Sequence, residues 1–94
     1  NERLITKFVL KFPGDPSFSQ LQSTLEEKNV EEAFRAAHTL KGVAQNLGFT
    51  PLYEATATLT EVLRAGNLPE DDNMMNAVAK EYERTVAAIE QLNA

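Results

Sequence analysis

Met75, Val78, Tyr82, Thr85, Ile89 and Leu92 follow one another at steps of three and four residues. Side chains in a strand return to one face every second residue, whereas these steps return to one face only on an α-helix. Such a seam is what a bundle helix presents to its neighbours. No segment reads as a strand, so the chain is expected to be all-α.

Four further helices are expected before this one. The first runs from about Glu2 to Phe12, with Leu4, Ile5, Phe8, Val9 and Phe12 at helical spacing, and Pro13-Gly14-Asp15-Pro16 ends it. Ser17 is the predicted N-cap of a second helix, about Phe18 to Lys28, with Phe18, Leu21 and Leu25 on its apolar side. Asn29 is the predicted cap of a third, about Val30 to Leu47, whose first turn gains Glu31 and Glu32 at its positive end. Gly48 suits the left-handed position past its end. Thr50-Pro51 signals the start of a fourth, with Thr50 as N-cap and Pro51 at the first helical position. This helix reaches about Ala65, stops at Gly66-Asn67, and turns Leu52, Thr56, Leu59 and Leu63 inward. Pro69-Glu70-Asp71-Asp72 opens the last helix. Short loops between helices imply antiparallel neighbours. The expected architecture is therefore an antiparallel up-down-up-down four-helix bundle with an additional N-terminal helix across one end or side. Its 94 residues suit one domain, spanning 1–94.

Composition narrows the function. Hydrophobic residues make up 43%, as expected of a globular chain rather than a disordered one. There is no run of about 18 apolar residues to span a membrane, and the N-terminus does not read as a secretory signal. The chain begins at Asn1, which leaves flanking sequence open. A net charge of −5 argues against nucleic acid as a main partner. Cysteine is absent and histidine occurs once, so disulfides, thiolate chemistry and a dedicated transition-metal site are not expected. The lack of cysteine is compatible with a reducing cytoplasm, the expected location.

The chemistry concentrates on the third helix. At about 100° per residue, Ala33, Ala36, Ala37, Leu40, Val43, Ala44 and Leu47 form one stripe, and His38 faces the opposite way. Around His38 lie Glu31, Phe34, Arg35, Lys41, Gly42 and Gln45. A lone histidine on a helix is usually a solvated surface residue, but these neighbours alter that reading. Gly42 costs roughly 1 kcal/mol against alanine in a helix interior. It lies beside His38 and off the core stripe, which suggests clearance for a partner rather than close packing of another helix. Lys41 sits three residues on, where an ammonium can meet a phosphate on the ring. Gln45 is one turn further and is able to hydrogen-bond that phosphate or orient the imidazole. Phe34, one turn before His38, either packs at the border with the second helix or gives a partner an apolar anchor. Free imidazole has a pKa of about 6.5 and is nucleophilic near neutral pH. It suits loose, mostly positional phosphoryl transfer. No Gly-rich phosphate loop is present, so ATP binding is not expected.

Ala37-His38-Thr39-Leu40-Lys41-Gly42, continued by Ala44 and Leu47-Gly48, strongly resembles the signature of the histidine-containing phosphotransfer (HPt) domains of two-component phosphorelays. Phe34-Arg35-Ala36-Ala37-His38 is also similar to the phosphotransfer domain of chemotaxis histidine kinases. The resemblance implies that His38 is the phosphoacceptor, through its solvent-facing nitrogen. It implies that Lys41 stabilises the phosphate and that Gly42 lets a response-regulator receiver domain approach. Phe34, Arg35 and Gln45 become candidate contacts. The receiver is expected to supply the aspartate and the Mg²⁺; this chain holds no cofactor. The resemblance implies a carrier between a histidine kinase or receiver and another receiver, not an enzyme with its own ATP site. The other function considered is a helical docking module that has kept the fold and lost the phosphoryl traffic. The chemotaxis version places a glutamate near the histidine from the next helix. Here Thr60 stands at that position with Glu61 one step off the face. This favours a generic relay module and leaves open which group holds the second nitrogen of His38. A monomer is expected, since the apolar rows can all be used inside one bundle.

Overall fold

The structure, a computed structural model, describes residues 2–92, with side chains from Thr6 onward. It contains five α-helices: α1 (Glu2–Lys11), α2 (Ser17–Glu26), α3 (Val30–Leu47), α4 (Thr50–Arg64) and α5 (Asn73–Leu92). A 3-10 turn at Phe12–Gly14 follows α1, and no strand occurs among the described residues. Consecutive helices pack on one another, α2 on α3, α3 on α4 and α4 on α5. Stacking of Phe18 on Tyr82 brings α2 against α5.

The core follows the expected rows. Leu21 of α2, Leu40 and Ala44 of α3, Leu52 and Leu59 of α4 and Val78 of α5 are all fully buried. Ala33, Ala36 and Ala37 join them on α3, while Val43 and Leu47 are half-buried at the edge of that stripe. The run of alanines allows α3 to lie between α2 and α4, since short side chains permit close approach of helix axes. Thr56 and Thr60 are buried in α4, and each hydroxyl donates to the carbonyl four residues back, Leu52 O and Thr56 O, both at 2.7 Å. That back-bonding satisfies groups that burial would otherwise penalise.

The ends of the helices depart from expectation in consistent ways. Phe12 falls in the 3-10 turn and not in α1, because Pro13 supplies no N–H to continue an α-helical ladder. Ser17 is not the cap of α2. It is buried inside the first turn, and its N–H donates to Asp15 Oδ1 at 2.8 Å. The carboxylate two residues earlier thus takes the capping role. The second helix stops at Glu26 instead of Lys28, where Lys28 turns left-handed at φ 59°. Asn29 caps α3 as expected, its side chain accepting from Glu32 N at 3.2 Å, and Gly48 ends the helix at φ 78°. Thr50 is the first helical residue of α4 and makes no side-chain cap; Phe49 takes the cap position. The last helix begins at Asn73, whose N–H donates to Asp71 Oδ1, so Pro69 to Asp72 form its approach. At its other end Leu92 is 67% exposed and leaves the inward seam. This 20-residue helix is longer than the 15-residue α4 beside it.

Phe12 anchors α1. Its ring meets Phe49 edge-on at 5.1 Å and Tyr82 at 5.7 Å. Aromatic pairs favour such tilted arrangements. The first helix therefore closes the end of the bundle where α3 and α5 finish. The expected inward positions Leu4 and Ile5 lie outside the described side chains.

Candidate functional site

α3 carries His38 near its middle, exposed, on the side away from the buried alanines. Among the described residues no hydrogen bond or ion pair reaches the imidazole. Its one ring contact is with Phe34, one turn earlier: the centroids lie 5.8 Å apart with planes inclined by 26°. The imidazole is thus exposed without a described hydrogen-bond partner behind it.

Neither α4 residue considered as a holder for the imidazole fills that role. Thr60 points into the core and bonds Thr56 O. Glu61 is exposed and pairs with Arg64, Nε to Oε2 at 3.1 Å.

Lys41 is half-buried and has no carboxylate partner among the described residues, so its ammonium is uncommitted. A hypothetical Cβ on Gly42 meets nothing within 4 Å. Among the described residues no neighbouring helix packs against that position, so their packing gives no reason for a glycine there. Gln45 is exposed one turn beyond Lys41. Arg35 is exposed and pairs with Glu32 at 3.1 Å on its own helix, and its carbonyl accepts from Thr39 Oγ1 at 2.9 Å. Lys41, Gly42 and Gln45 therefore share the His38 face of α3, with Arg35 at its margin.

Phe34 is half-buried. It packs against the core and leaves an accessible ring beside the histidine. Sequence reasoning missed Arg64, whose guanidinium carbon lies 5.1 Å from the centre of the Phe34 ring. The only signal was its place at the far end of α4, which an antiparallel hairpin sets beside the early part of α3.

A shallow groove of about 550 Å³ lies further along α3, between Phe8 and Phe12 on one side and Val43 and Leu47 on the other. Phe8 is 55% exposed there. Val43 and Leu47 stand roughly 8 and 14 Å beyond His38 along the helix axis, at 1.5 Å per residue.

Among the described residues, no cluster of three or more His, Cys, Asp or Glu is arranged to hold a metal ion. No described helix is long and apolar enough to cross a membrane. An exposed imidazole, a free ammonium and a side-chain-free neighbour are suited to accepting a small dianion from a partner that presses against the helix. A comparison with protein families matches the Hpt domain over residues 14–91. Searches of curated proteins and of solved structures returned no match.

Proposed function

Because the chain belongs to the Hpt domain family, whose members carry phosphoryl groups on histidine within two-component phosphorelays, we propose that His38 is the phosphoacceptor of this domain. It exchanges the group with the aspartate of response-regulator receiver domains. The observation that carries the reading is the His38 patch itself: an exposed imidazole without a hydrogen bond, an uncommitted lysine three residues on, and open space over Gly42.

In the forward step the lone pair of the solvent-facing nitrogen attacks phosphorus of the receiver's acyl phosphate. The N–P bond forms as the P–O bond breaks, and the carboxylate leaves. Lys41 offsets part of the phosphate charge on the imidazole, as charge-assisted hydrogen bonds do. Gly42 lets the receiver's surface reach the ring at transfer distance, and positioning of this kind supplies much of the rate in phosphoryl transfer. The receiver brings its own Mg²⁺. Phe34, Arg35 and Gln45 border the contact. The domain acts as a monomeric cytoplasmic carrier without an ATP site.

The test is labelling by a phosphorylated receiver. His38→Gln is expected to abolish label while circular dichroism retains the wild-type helix content. Label retained on a folded His38→Gln variant overturns the assignment.

A further inference from the structure

Among the described residues His38 has no hydrogen bond to fix its ring, yet in-line transfer depends on orientation. An exposed histidine side chain turns about two bonds, and its terminal torsion is broad. Its one described ring contact is with Phe34, 5.8 Å away and inclined by 26°. Phe34 is in turn met from α4 by Arg64, whose guanidinium carbon stands 5.1 Å from the ring centre. The three groups form a chain of contacts from α4 to the imidazole.

Resting on the carrier reading above, we propose that Arg64 is a positioning residue for His38: it holds the Phe34 ring across the α3–α4 pair, and that ring sets the plane of the imidazole. The arrangement replaces the ring hydrogen bond that neither Thr60 nor Glu61 supplies. A guanidinium is suited to this because it is planar, permanently charged and stacks on aromatic faces. A plainer role exists, since a cation in the last turn of a helix favours the negative end of its dipole. The ion pair with Glu61 is largely exposed and carries little by itself. Neither role brings the guanidinium over Phe34, and neither affects the imidazole.

The experiment compares wild type, Arg64→Ala and Arg64→Lys by two readouts. The first is the ring-current shift that Phe34 imposes on the carbon-bound imidazole protons of His38, read by proton NMR with no phosphate present. The second is single-turnover transfer from a phosphorylated receiver across receiver concentrations. Arg64→Ala is expected to move the imidazole protons toward their unstructured positions. It is expected to lower the saturating transfer rate about two- to fivefold, the span of an exposed cation–π contact, and to leave the half-saturating receiver concentration unchanged. Arg64→Lys restores both readouts at least in part. Unchanged imidazole shifts in Arg64→Ala overturn the proposal. So does slower transfer with unchanged shifts, which marks a direct contact to phosphate or receiver, and so does a lysine variant that behaves as the alanine one. A wild-type domain that takes no phosphate defeats the carrier reading instead, while the shifts still report whether Arg64 orients the ring.

Discussion

Phe34 stacks on His38 across one turn of α3, with centroids 5.8 Å apart, and it is the only described side chain in ring contact with the imidazole. The histidine is therefore exposed for chemistry and bounded on one side by a rigid apolar surface. A partner that docks beside it meets an aromatic ring, an imidazole and, at Gly42, a position without a side chain.

Gly42 separates stability from function. A Cβ placed there meets nothing within 4 Å, and alanine is favoured over glycine in a helix by about 1 kcal/mol. Gly42→Ala should raise the melting temperature by about 4–8 °C for a domain of this size. Gly42→Gln should slow transfer from a receiver far more than it alters melting. Normal transfer by the glutamine variant contradicts the clearance argument.

Lys41 has no ion-pair partner among the described residues, so its removal should hardly affect the fold. Thermal unfolding of Lys41→Ala should stay within about 0.5 kcal/mol of wild type, as for other surface changes. Transfer to His38 should fall about tenfold or more, the scale of one charge-assisted hydrogen bond. Wild-type transfer kinetics in this variant remove Lys41 from the site.

Thr60 is assigned to the core. Thr60→Val keeps the shape and deletes a hydroxyl whose acceptor, Thr56 O, also lies within the helical ladder. Stability should change by less than about 1 kcal/mol, and phosphotransfer should match wild type. Impaired transfer at unchanged stability reveals a link between Thr60 and the imidazole that the geometry does not contain.

Tyr82 gives the fold an alkaline limit. Burial first, and then the negative charge of Asp15, raise its phenol above the ordinary 10.0. The unfolded chain consequently loses this proton at lower pH than the folded one. Its contribution is intact below pH about 10 and is lost as pH rises from there through the raised folded value. Denaturant midpoints measured from pH 9 upward should fall for wild type and fall less for Tyr82→Phe. Equal slopes contradict this account.

Legibility in the sequence followed the range of the interactions. The buried stripe Ala33–Ala44 and the row Leu52–Leu63 were readable because helical periodicity alone decides which positions share a face. Asn29 and Gly48 were readable because each terminus requires a particular side chain or a positive φ. The cap assigned to Ser17 was displaced because Asp15 competes for the same free N–H group and reached Ser17 N, whereas Thr50 became the first helical residue behind Phe49 with no side-chain cap. The exposure of Leu92 and the approach of Arg64 to Phe34 depend on how far neighbouring helices extend past one another. No local pattern encodes that. At the site, the His38–Lys41–Gly42 spacing was legible, whereas the aromatic and guanidinium contacts around the imidazole emerge only from the packed helix pair.

The central claim is that His38 carries a phosphoryl group received from a receiver. Its most direct test is intact-mass analysis of the domain after incubation with a phosphorylated receiver and Mg²⁺, repeated after brief acid and brief base treatment. A single added phosphate that acid removes and base spares is the predicted result, and with one histidine in the chain the site is His38. No added phosphate across receivers from the same cell contradicts the claim and points to a domain that docks without carrying phosphate.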